Sequence, residues 1–125
     1  MPETPAVSIQ PHAEVICVVM HRSEMKDATL DELQRDLSSA AAERPNLPVV
    51  LDLTQVKYVP SMALGTLVML MRHLQKNKQR FLLVGLQPEV RTVLAITRLD
   101  KLFEIHPNLE AALAHLAGGP STAHK

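Results

Sequence analysis

The sequence predicts a single α/β domain: a mostly parallel central sheet with helices packed on it and an N-terminal β-hairpin. Three observations carry this reading. Two short runs, VVLDL (49–53) and FLLVGL (81–86), are apolar without alternation, as expected of strands covered on both faces. Segments with apolar residues at helical spacing stand between and after them. The resulting order, β-β-α-β-α-β-α-(β)-α, alternates strands with helices, which implies a parallel sheet joined by right-handed crossovers.

Each element follows from its own residues. AVSIQ and VICVVMH, rich in β-branched residues, flank a turn at PHAE and form the hairpin. Cys17 in the second run reads as a small buried apolar side chain, since no neighbouring cation or His lowers its pKa. KDATLDELQRDLSSAAAE reads as a helix. There Thr29 followed by Glu32 fits a capping box, and Leu30, Leu33, Leu37 and Ala40 or Ala41 share a face. Pro45 and Pro48 break the chain before the strand PVVLDL. After Ser61, residues Leu64, Leu67, Val68, Met71 and Leu74 mark the core face of a second helix, which ends at KNKQR. FLLVGL follows as a strand. PEVRTVLAITRL opens on Pro88, tolerated at a helix start, and aligns Val90, Val93, Leu94 and Thr97. FEIH is a short strand and PNLEAALAHLA a closing helix. Residues 1–5 and 118–125, small, polar and rich in Pro or Gly, read as flexible tails around a domain at 6–117.

Composition narrows the function. At 125 residues, with 46% hydrophobic and 21% charged, the chain fits one packed domain. Aromatics are only 2%, so the core is aliphatic. Thirteen basic residues balance thirteen acidic ones, which argues against a nucleic-acid binder. The N-terminal MPETPAVS lacks a signal-peptide pattern, and no apolar run approaches the ~20 residues of a membrane span. A soluble, cytoplasmic protein without membrane insertion is the expectation. His12, His21, His73, His106, His115 and His124 include no pair at i, i+3 or i, i+4 on one helix. With one Cys and no HExxH, neither a metal site nor a cofactor is expected. GxGxxG, GxxxxGK[ST] and GxSxG are all missing, so no catalytic residue is assigned and an enzyme is not expected.

What remains is the junction YVPSMALGTLVML, residues 58–70. Pro60 biases Val59 away from helical angles, so the helix cannot begin earlier. Ser61 then sits where an N-cap is wanted, its hydroxyl able to accept from an N–H one turn in. A phosphate on that hydroxyl would lie beside the positive end of the helix. Asp52 interrupts an apolar strand at its carboxyl end, where functional loops of α/β sheets gather. Its carboxylate is suited to accept N–H bonds from the following loop and so to shape a site around Ser61. Met62, Thr66, Met69 and His73 form a second stripe on the helix, offset from the core face. The stripe is either core filling or an adaptable patch for a protein partner.

The run VVLDLTQVKYVPSMALGTLVML resembles the STAS domain, the fold of bacterial anti-sigma factor antagonists. That family reads as an apolar strand ending in Asp, then a hydrophobic residue before D-S-S-G-L-G. Asp52 matches the strand Asp, Ser61 the regulatory serine, and Leu64-Gly65 the terminal pair. Pro60 stands where the family often has Asp, Met62-Ala63 replace Ser-Gly, and His21 replaces a glycine after the second strand. The likeness spans about residues 7 to 116, including FLLVGLQPEVRTVLAITRLDKLFEIHPNLEAAL in the later half. It implies a regulatory protein phosphorylated at Ser61 by a partner kinase that also sequesters a sigma factor. The partner is bound only when the serine is unmodified. Asp52, Pro60, Ser61, Met62, Thr66 and Met69 are the expected partner-binding residues, and a homodimer is compatible with the family. Two alternatives stand beside this reading. One is an unphosphorylated STAS subunit of a larger assembly, stressosome-type or a transporter accessory; the other is a small-ligand-binding domain using Asp52 and Ser61.

Overall fold

Apolar runs with no polar-facing side must be covered on both faces, and that requirement organises the sheet. In a computed structural model describing residues 5–118, the elements are β1 (Val7–Gln10), β2 (Ile16–Met20), α1 (Asp27–Glu43), β3 (Val49–Asp52), α2 (Ser61–Lys76), β4 (Phe81–Val84), α3 (Pro88–Ile96), β5 (Glu104–His106) and α4 (Leu109–Leu116). A 3-10 turn at Leu99–Lys101 leads into β5. The strands lie in the order β1-β2-β3-β4-β5. β1 is antiparallel to β2, and the other pairs are parallel. The hairpin and the predicted alternation are therefore both present. The two unalternated runs, β3 and β4, lie side by side with Val49 opposite Phe81 and Asp52 opposite Val84.

Alternation along the strands divides the core. Val49, Leu51, Phe81 and Leu83 join Leu33 and Leu37 of α1, Leu67 and Leu74 of α2 and Leu94 of α3 in the larger cluster. Val50, Leu82, Val84 and Cys17 face the other way, against Ala112 of α4. With almost no aromatic residues, packing is aliphatic, apart from one edge-on contact of Phe81 with Phe103 at 6.2 Å. Cys17 is buried and free, as its setting in β2 predicts.

Several local expectations need correction. α1 is capped by the extended backbone of Lys26, and Thr29 lies buried inside the helix. Glu32 does not close a capping box. Its Oε2 accepts the Val7 N–H at 3.0 Å and ties α1 to the edge strand. The face of α2 is rotated from the expected one: Ala63, Thr66 and Leu70 are buried with Leu67, Met71 and Leu74, while Leu64 and Val68 are half-buried. Thr66 therefore leaves the offset stripe. Its hydroxyl donates to the Met62 carbonyl at 3.1 Å, which lets the side chain turn inward without an unpaired polar atom. Thr97 lies one residue past α3 and is exposed, its hydroxyl donating back to Val93. Of the expected tails, residues 1–4 and 119–125 lie outside the described residues.

Two contacts that the residue pattern does not reveal hold the periphery. Asn108 caps α4, its side chain accepting from the Ala111 N–H at 2.8 Å. Gln79 is buried, and its amide donates to the carbonyls of Leu47 (2.8 Å), Arg44 (3.1 Å) and Ala41 (3.4 Å), closing the carboxyl end of α1.

Candidate functional site

The site is built at the carboxyl ends of the parallel strands, where β3 hands the chain to α2. Asp52 Oδ1 accepts from the Thr54 N–H at 2.8 Å and from its hydroxyl at 2.5 Å. The carboxylate thus folds the first loop residues back over the strand end, as expected for a strand-terminal Asp. Thr54 is held from its other side as well, since Gln87 Nε2 donates to its carbonyl at 2.6 Å. Farther along, Leu53, Val56 and Val59 are buried in the larger core cluster, so the loop is anchored by an apolar side chain at every third position. The N–H groups of Lys57 and Tyr58 both donate to the Ser23 carbonyl, and Met25 N–H donates to that of Tyr58. His21 adds a tie of its own, lying between Ser8 Oγ (2.7 Å) and Gln55 Nε2 (3.3 Å). The loop is a fixed platform.

On that platform Pro60, not Ser61, is the N-cap, with φ −70° and ψ 165°. Its carbonyl accepts from Ala63 and Leu64. Ser61 is the first residue of α2 and is exposed. Among the described residues, its hydroxyl has no hydrogen-bond partner. The capping expectation is corrected: proline, with no N–H to satisfy, holds the extended backbone a cap requires and pushes the serine one place into the helix. There the unused N–H groups and the positive helix end lie beside a free hydroxyl. Farther along the helix Met62 and Met69 are each 61% exposed, whereas Thr66 is only 8% exposed. Pro60 is half-buried and His73 exposed. The structure therefore leaves Ser61, Met62 and Met69 exposed on α2 after a half-buried Pro60, holds Asp52 at the end of β3 as the loop's clamp, and withdraws Thr66 into the core.

A second cluster, missed in the sequence, lies on the α4 side of β5. Glu104, His106 and His115 place one potential ligand atom each within 4.8 Å of one another. The His106 and His115 rings are 4.9 Å apart at 42°. Arg80 grips Glu104 through two N–H donors, which raises its own pKa. Burial, together with the charge on His115, lowers the His106 pKa, so the neutral imidazole is favoured. The two histidines are nine positions apart in the sequence and belong to different elements, so no helical or strand period links them. Only the turn between β5 and α4 brings them together. An open cleft of about 380 Å³, lined by Val15, Pro48, Arg80 and Leu116 among others, lies at the amino ends of the strands, away from Ser61.

The fold is an α/β module in which a hydrogen-bonded loop leads to an exposed serine at a helix start. The STAS domain family profile matches residues 5–112, and the chain belongs to that family. It is similar to a STAS-domain containing protein of Pseudomonas aeruginosa (strain UCBPP-PA14), 38% identical over 71 residues, which cover 57% of this chain and 69% of that one. Among solved structures, an anti-sigma factor antagonist from Mycobacterium paratuberculosis superposes with a TM-score of 0.77 at 27% identity, covering 89% of this chain and 92% of the other. The antagonist SpoIIAA in its unphosphorylated form gives 0.74 at 18% identity over 90% of this chain and 97% of its own. Its phosphorylated form from Bacillus gives 0.66 at 16%, over 89% and 99%. Among the described residues, no helix is long and apolar enough to cross a membrane.

Proposed function

We propose that this chain is a partner-switching regulator of the anti-sigma factor antagonist type, acting in the bacterial cytoplasm by binding rather than catalysis. Unmodified, the surface of Pro60, Ser61, Met62 and Met69 docks on a protein partner, an anti-sigma factor with serine kinase character, and phosphorylation of Ser61 breaks the contact. The single observation that carries this reading is the Ser61 hydroxyl, exposed and unpartnered at the start of the helix that also carries the exposed Met62 and Met69. Methionine side chains adapt to a partner's relief without a fixed rotamer. A phosphate there brings about two negative charges. The helix end favours it in the free protein, but pressed into an apolar contact with a partner it would lose its water. The switch therefore acts on the complex and leaves the fold intact. SpoIIAA, which shares the fold, exists in unphosphorylated and phosphorylated forms, in keeping with a switch by phosphorylation.

The test is capture of partners from the native cell with Ser61→Ala and Ser61→Asp variants, together with mass spectrometry of the wild-type chain. The reading expects Ser61→Ala to retain the partner, Ser61→Asp to lose it, and phosphate to be found on Ser61. Equal capture by both variants, with no phosphate on Ser61, overturns it.

A further inference from the structure

We propose that Glu104, His106 and His115 form a binding site for one divalent transition metal ion of the class that prefers imidazole, with Zn²⁺ as the representative. This does not rest on the partner switch. In the short strand β5, Glu104 and His106 are two residues apart and so project from the same face, while Ile105 turns to the larger core cluster. α4 packs across that face and delivers His115 from a different element. Two imidazoles and a carboxylate converging from a strand and a helix are a donor set suited to zinc, nickel or copper, and poorly suited to calcium or magnesium, which take oxygen ligands.

The distances are those of a site open by a small side-chain movement. Ligand atoms around tetrahedral zinc, at bond lengths near 2.0–2.2 Å, stand about 3.3 Å apart. Here His115 Nε2 and Glu104 Oε2 are 3.7 Å apart, and the three ligand atoms fall within 4.8 Å. All three residues are half-buried, so ring and carboxylate rotation closes the gap without moving the backbone.

Arg80 is the competitor. Its guanidinium holds both carboxylate oxygens of Glu104, including Oε2, the one nearest His115. The Arg80 side chain is 45% exposed and can swing outward when an ion takes its place, at the cost of a partly exposed ion pair. A metal at this point replaces one cation by another.

The experiment uses the full chain without a purification tag, titrated with zinc chloride and followed by calorimetry and by side-chain ¹⁵N–¹H NMR of the histidines. One ion should bind, and the His106 and His115 ring signals should shift together while that of His73 stays in place. His115→Ala and His106→Ala should each weaken binding at least about tenfold. Arg80→Met, which releases Glu104 Oε2 and removes a positive charge, should tighten it. The NMR arm uses the unaltered protein, so it holds even where a histidine variant folds poorly. Absence of saturable binding by the wild type, or ring shifts confined to other histidines, overturns the site.

Discussion

A Cβ built on Gly85 would come within 2.3 Å of the Thr54 hydroxyl oxygen. Gly85 also has φ +72°, in the left-handed region that costs a residue with a side chain. The glycine just after β4 thus leaves room for the threonine that Asp52 fixes just after β3, and the two strand ends close on each other through one hydroxyl. Gly85→Ala should lower stability by about 1–3 kcal/mol from backbone strain, with the clash added. Thr54→Ala removes the clashing atom, so the double variant should lose less than the two single losses summed. Urea unfolding of the four proteins checks this. Strict additivity would mean that Gly85 is needed for its φ alone.

Ser61 is predicted to be nearly silent for stability. Pro60 holds the cap and the serine hydroxyl is unbonded, so Ser61→Ala should change stability by less than about 0.5 kcal/mol. A loss near 1–2 kcal/mol, usual for a removed cap, would show that the hydroxyl caps α2 after all. Ser61→Asp should be equal or slightly more stable, since a carboxylate in the first turn suits the helix end. Partner affinity should follow the opposite order.

The two faces of α2 should separate by mutation. Met62 and Met69 are 61% exposed, whereas Leu67 is 1% exposed in the sheet-facing core. Changing both methionines to glutamine should leave the melting temperature nearly unchanged while weakening partner capture. Leu67→Ala should cost about 2–5 kcal/mol, the range for truncating a core leucine. An early-melting methionine variant with full capture would place those side chains in the core instead.

The fold was legible because its signals are local: runs without alternation marked β3 and β4, and helical spacing marked α1 and α2. The site was legible in outline, since Asp52 closes its strand and Pro60 fixes where α2 starts. The misreadings share one cause, the use of a polar side chain for something other than its usual place. Thr29 and Ser61 suggested caps, but Lys26 and Pro60 supply the extended backbone. Thr66 suggested an exposed position, but its bond to Met62 hides the hydroxyl. Gln79 reads as part of a polar helix end, yet it is buried against three carbonyls. Glu104, His106 and His115 have no shared period, so only the chain's path around the β5–α4 turn unites them.

Cys17 gives a test of the sheet's second face. Burial raises its thiol pKa, and the Asp52 carboxylate, on the same face of the neighbouring strand, adds in the same direction. The folded protein therefore keeps the proton where the unfolded chain, with an ordinary thiol near 8.5, gives it up. A raised acid pKa means that the folded state binds more protons above that point. The contribution is fully present at neutral pH and is lost as pH climbs through about 8.5 toward the folded value. Denaturant midpoints of wild type and Cys17→Ala, compared between about pH 7 and about pH 10, should converge as pH rises, because the variant lacks this loss. In the same window iodoacetamide should label the native thiol far more slowly than the urea-unfolded one, since the thiolate is the reactive form. Equal labelling of native and unfolded protein would mean that Cys17 is not buried in the core cluster it shares with Val50 and Ala112.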